Sequence, residues 1–183
     1  PARMNPTQVD TDADGFGDVA EYERYSFAPK VIFRPEEDVT VRIVAGVLSE
    51  HRVGGATNSS GVLDGGGRPY REDLRSRRLD LSSQLDYQAS EDEAVTVKIA
   101  AMQLKRDAVY GTTPFDATQR MVYADAQYAR TVGAHALLFG AALSDEELAD
   151  RTPVAGPGLG YRYTTPAAFL QDEITLSPEW SLL

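Results

Sequence analysis

Apolar and polar positions alternate from Val39 to Val47. Val39, Val41 and Ile43 share one face of an extended chain, while Thr40 and Arg42 share the other, which is the period of a strand. Lys30 to Phe33 alternates in the same way. The turn-like Arg34-Pro35-Glu36-Glu37-Asp38 stands between the two stretches, and the pair is expected to form a hairpin. Two later stretches read as helices. Ser90 to Tyr110 sets Glu91, Asp92 and Glu93 at the positive end of a helix dipole and Lys105 and Arg106 at the other, although Val95 to Ile99 also alternates as a strand does. Thr113 to Leu143 opens with a capping Thr113 and with Pro114 at the first helical position. It is rich in small residues, among them Ala124, Ala126, Gly133, Ala136 and Gly140, that let a neighbouring backbone come close. Ser144-Asp145-Glu146-Glu147 matches a capping box and predicts a short helix, and Glu173 to Leu176 predicts a last strand.

These elements predict an α+β fold: a small mixed domain with a strand hairpin and two longer helices. An acidic segment, residues 1 to 29, precedes a body of residues 30 to 183, and the glycines between Gly54 and Gly67 mark a mobile surface loop. Composition narrows the function. With 18 basic against 28 acidic residues the net charge is -10, which opposes sequence-independent attraction to nucleic acid or to an anionic membrane surface. The absence of cysteine excludes disulfides and thiolate metal sites. No apolar run approaches the roughly 18 residues of a spanning helix, Ala134 to Leu143 coming nearest, so no membrane-spanning segment is expected. Catalytic signatures are missing: the chain has no Gly-x-Ser-x-Gly elbow, no His-Glu-x-x-His and no phosphate loop. The arginines Arg71, Arg75, Arg77 and Arg78 are expected to pair with the protein's own acids, the alternative being a clamp on a phosphate or on a partner's carboxylates. His135, among Ala134, Ala136 and Leu137, reads as a core or interface histidine, and His51 has no identifiable partner.

One stretch carries chemistry. In Asp10-Thr11-Asp12-Ala13-Asp14-Gly15-Phe16-Gly17-Asp18-Val19-Ala20-Glu21, five carboxylates repel one another unless a cation lies among them. Calcium takes six to eight oxygens, and a loop of twelve residues wraps it through positions 1, 3, 5, 7, 9 and 12. Asp10, Asp12, Asp14, the Phe16 carbonyl, Asp18 and Glu21 fill those positions, and Gly15 sits where the loop needs a positive φ. A short helix is expected after the loop, from Val19 to Tyr25. Preceded by Asn5-Pro6-Thr7, the motif resembles the calcium-binding repeats of thrombospondin type 3 kind found in bacterial exported proteins and, more distantly, the dockerin loop. The resemblance covers residues 5 to about 25. It implies a calcium ion, a structural role and an extracellular or cell-surface setting. The expected function is a calcium-stabilised structural or interaction domain that meets a protein partner or further copies of itself in a larger assembly. An extracellular hydrolase braced by calcium and an intracellular calcium sensor are the alternatives.

Overall fold

The computed structural model describes residues 2–5, 7–58, 62–152 and 158–183. It is one antiparallel sheet of ten strands: β1 (Ala2–Asn5), β2 (Glu21–Phe27), β3 (Lys30–Glu36), β4 (Val39–Gly55), β5 (Arg71–Ser90), β6 (Glu93–Tyr110), β7 (Thr113–Val132), β8 (His135–Asp150), β9 (Tyr161–Ser177) and β10 (Trp180–Leu182). From β4 onward each strand pairs with the next in sequence. β2 and β3 share one edge of β4 and keep one register across it, from Glu21↔Val53 to Phe27↔Val47 and again from Lys30↔Val44 to Phe33↔Val41. They are one long strand broken at Ala28-Pro29, where proline has no N–H to give to the ladder. The Pro29 carbonyl still accepts the Ala45 N–H at 3.2 Å. The sheet therefore runs without interruption through the boundary that the sequence places near residue 29.

The α+β expectation is overturned: no described residue lies in a helix. The stretch read as a first helix is β6 with its preceding turn. The second is cut into β7 and β8 by the turn at Gly133, whose φ of 61° a helix does not hold, and Gly111, at 62°, makes the corresponding turn between β6 and β7. Ser144 to Glu147 lies inside β8, and Glu21 to Tyr25, expected as a helix after the acidic loop, belongs to β2. The hairpin of residues 30 to 47 is present as β3 and β4, and the last predicted strand is the end of β9.

Among the described residues, every strand touches only its hydrogen-bonded neighbours, so the sheet is a single layer. The consequence is a very large surface. The chain exposes 12401 Å², where a compact protein of 20.0 kDa exposes about 8,700 Å². Ala108 and Ala117 are the buried apolar residues of the described chain. With no second layer on either side, the difference in exposure between the faces comes from curvature. Along β6, Ile99, Ala101, Gln103 and Lys105 are exposed while Ala100, Met102, Leu104 and Arg106 are half-buried, so the first set stands on the convex face and the second on the concave one.

Candidate functional site

The register shows what each face carries. On the convex face, Val39, Val41, Ile43, Ala45 and Val47 of β4 stand opposite Tyr87, Leu85, Ser83, Leu81 and Leu79 of β5. The row continues with Val95, Val97, Ile99 and Ala101 on β6, then with Tyr128, Ala126, Ala124 and Val122 on β7. Leu137, Phe139, Ala141 and Leu143 of β8 and Leu170, Ala168 and Pro166 of β9 extend it. No convex position inside this belt carries a charge, although 25% of the chain is charged. The next convex residue above the belt is polar on every strand: Ser49, Arg77, Gln103, Arg120, Asp145 and Thr164.

The belt slants across the strands. The register carries Pro166 through Leu143, Ala124, Ile99 and Ser83 to Ile43, four residues below Val47, the upper border on β4. With about 3.4 Å per residue and about 4.8 Å between strands, that slip over five strand steps corresponds to a strand tilt of about 30°. Nine residues of β4 then span a height of about 23 Å. Aromatic rings gather at the lower border, where Tyr87, Val95, Tyr128 and Phe139 form one register row. The Tyr128 and Phe139 centroids are 6.3 Å apart, and the Tyr128 hydroxyl donates to Glu93 at 3.2 Å.

Behind the belt the concave face is mostly polar from β4 to β7, while β8 and β9 turn Leu138, Gly140, Ala142, Phe169 and Ala167 to it. Arg42 pairs with Asp86, which also accepts from Gln84 Nε2 at 2.8 Å and from Thr96 Oγ1 at 3.0 Å. Asp125, 3% exposed, faces Lys98 Nζ at 3.8 Å and accepts from Gln127 Nε2 at 2.9 Å.

The two ends of the sheet differ. At the lower end the connections are two residues each: Glu37-Asp38, Glu91-Asp92, Gly133-Ala134 and Pro178-Glu179. At the upper end lie the connections 6–20, 56–70 and 151–160, with only the Gly111-Thr112 turn short. The acidic loop is thus at the end with the long connections. Val9 and Val19 close it by exchanging backbone hydrogen bonds at 3.0 and 3.1 Å, and Gly17 N–H donates to the Gly55 carbonyl at 3.0 Å, which pins it to the end of β4. The Phe16 ring packs beside Tyr70, with centroids 6.1 Å apart.

Of the six positions predicted to hold a cation, three come together: oxygens of Asp10, Asp12 and Asp18 lie within 4.8 Å of one another. Asp14 uses Oδ1 to accept the Phe16 N–H at 2.7 Å, and Glu21 opens β2 beside a recess shared with Gln8 and Arg71. Gly15 has the positive φ that the spacing calls for, 89°, and its N–H donates to Asp10 Oδ2 at 3.0 Å. The other oxygen, Asp10 Oδ1, is shielded from solvent and has no hydrogen-bond partner among the described residues. Thr11 donates its hydroxyl and its N–H to Asp18, which holds that carboxyl below its ordinary value. Pro6, part of the Asn-Pro step before the loop, lies outside the described residues.

The other residues singled out by sequence are dispersed. His51 Nε2 is 3.0 Å from Asp73, and His135 stands exposed at the lower end, 2.9 Å from Asp172. Arg71 and Arg75 lie 3.9 and 3.7 Å from Asp73, and Arg78 lies 2.7 Å from Asp80.

No family model matches the chain, and no curated protein matches it. Among solved structures the chain is similar to one described as copper transporter OprC, with a TM-score of 0.70 at 13% identity over 90% of this chain. The match covers 28% of that protein, so the chain spans under a third of its length. At this identity the likeness shows the fold alone. No described helix is long and apolar enough to cross a membrane, a statement about helices that leaves strands open.

Proposed function

We propose that the chain forms part of the wall of a transmembrane β-barrel, with its convex belt against lipid and its concave face toward a wet interior. The observation that carries this reading is inverted polarity. A water-soluble barrel or sandwich turns apolar residues inward. Here they point outward in a belt of about 23 Å, while Arg42, Asp86, Lys98 and Asp125 occupy the concave side at the same height. Outer-membrane barrels have an apolar band of about 25 Å, strands tilted by 35–45°, aromatic girdles, and short turns at one end with longer loops at the other. A spanning strand needs only about 9–11 residues, which explains why a search for one long apolar run misses it.

The sheet edges support the same reading. Among the described residues, β3 and most of β9 have no partner on their outer sides, and unpaired edges of that length call for further strands to close the wall. The setting is then the outer membrane of a cell envelope, with the acidic loop on the outer surface. Fold likeness to the copper transporter supports the wall and carries no cargo with it.

Calcium in the acidic loop is the second part of the reading. The shielded, unpartnered Asp10 Oδ1 fits a cation, and a set made only of oxygens suits a hard one. Bound only by the ordered loop, calcium would brace the outer end of β2 and β4.

Because the chain has no cysteine, single cysteines report on each face cleanly. Fluorescent labels at Ile43, Leu81 and Ile99 should be quenched by brominated lipid after reconstitution into vesicles, and labels at Val44, Ser82 and Ala100 should not. Equal quenching on both faces, or none, refutes the wall. Calorimetry then tests the ion: one calcium should bind the parent protein and none should bind Asp10→Ala/Glu21→Ala.

A further inference from the structure

Just above the belt, Arg77 of β5 and Lys105 of β6 are direct cross-strand partners on the convex face, both exposed. Like charges placed opposite each other destabilise a sheet unless an anion lies between them. Neither has an ion-pair partner among the described residues, although Arg71, Arg75 and Arg78 each have one. A recess of about 700 Å³ begins at Arg77 and runs down to the belt, with Tyr25 and Ser49 at the level of the cation and Phe27, Val47 and Leu79 one step below. The recess is therefore polar and cationic at its top, apolar at its bottom, and continuous with the belt.

We infer that this recess and the Arg77–Lys105 pair bind a lipid of the surrounding leaflet with a net-anionic phosphate headgroup, the phosphate between the two cations and an acyl chain against Phe27, Val47 and Leu79. The inference rests on the membrane-wall reading and names what meets the wall at this point. Charge complementarity selects the phosphate, since each cation near a lipid surface favours an anionic headgroup by about five-fold. The apolar floor selects a lipid over a free anion.

The test uses spin-labelled phosphatidic acid and spin-labelled phosphatidylcholine with the protein reconstituted in phosphatidylcholine vesicles. Arg77→Gln/Lys105→Gln should lose the preference for phosphatidic acid by an order of magnitude or more, while the motionally restricted phosphatidylcholine stays as it was. Arg77→Lys/Lys105→Arg should keep the preference, and so should Arg71→Gln, which lies outside the recess. If the double glutamine variant fails to insert, each single substitution should lower the preference about five-fold. Retention of the full preference in the glutamine variants overturns the inference and leaves the wall standing. Displacement of phosphatidic acid by inorganic phosphate assigns the cations to a free anion and also overturns it. If neither lipid is restricted by the parent protein, the wall itself fails.

Discussion

Replacing Ile99 by arginine tests the lipid-facing belt at its most sensitive point. Ile99 stands on the convex face of β6, 55% exposed, in one register row with Ser83 and Ala124 and near the middle of the belt. Gln103, the first polar convex residue on the same strand, lies four residues above it, about 14 Å along the strand and about 12 Å along the membrane normal at the tilt found here. An arginine at the midplane of a barrel's lipid face costs about 2–4 kcal/mol, falling to about 0–1 at the interface. Ile99→Arg should therefore shift the folding equilibrium in vesicles by about 30- to 900-fold, and Gln103→Arg should leave it nearly unchanged. Ala100→Arg, one residue away on the polar concave face, should cost much less than Ile99→Arg. Denaturant titrations of the three variants in lipid vesicles measure the differences. Equal costs at 99 and 100 refute the assignment of faces, and equal costs at 99 and 103 refute the belt.

Three further outcomes are expected. Gly55 has a φ of 114°, and a Cβ there would lie 2.3 Å from the Tyr70 carbonyl oxygen; Gly55→Ala should loosen the Gly17 and Gln8 contacts to its carbonyl. Faster proteolysis within residues 7–20, with the sheet intact, reads this out. Asp125→Ala leaves Lys98 and Gln127 without their acceptor, and should destabilise by about 1–3 kcal/mol, partly restored by adding Lys98→Ala in a double-mutant cycle. Acid should release the outer loops late. Hydrogen bonds from Thr11 depress the Asp18 carboxyl, and the Arg68 N–H, opposed by burial and helped by the Gly66 N–H and the Arg68 guanidinium, depresses that of Asp64. A depressed folded value means that the contribution is complete above the ordinary 3.8 and is lost as pH falls below it, so amide exchange at Thr11 and Gly66 should stay slow at pH 5 and accelerate only below about pH 3.8.

Strands were legible where alternation is strict. Val39 to Val47 and Lys30 to Phe33 were read as a hairpin and are one, and Val95 to Ile99 showed the strand period inside a stretch assigned to a helix. Cap-like residues and alanine content mask that period in the sequence. Ala124, Ala126 and Ala141 are good helix formers, but a lipid-facing strand position asks only for an apolar side chain, and ladder pairing on both sides supplies what propensity lacks. Thr113-Pro114 imitates a helix start, yet Pro114 is the second residue of β7 and stands opposite Val109. The acidic loop was legible as a cation-type sequence, and three of its six positions converge. The solvent is not written in the sequence: in water, an apolar face of this width has to be covered by a second layer, whereas on a lipid-facing wall it does not.

The net charge of -10 opposes approach to an anionic surface only where the acids lie close to that surface, and the structure distributes them unevenly. An anionic surface repels charges that approach within about a Debye length of it, and the total carried elsewhere matters little. The acids of the N-terminal loop sit at the end of the long connections, and Asp86 and Asp125 face the concave side, where Arg42 and Lys98 answer them. Across the convex belt the charge is zero, and the first charged convex residues above it are Arg77, Arg120 and Asp145, with Lys105 beside Arg77. On the proposed wall, the field met by neighbouring headgroups at β5 and β6 is set by Arg77 and Lys105, while on β7 to β9 Glu147 stands opposite Arg120 and Asp145 pairs with Arg162. On the proposed wall, a globally acidic protein thus presents a neutral belt with Arg77 and Lys105 at the upper border of β5 and β6, the order of surfaces that a phosphate-rich leaflet selects there.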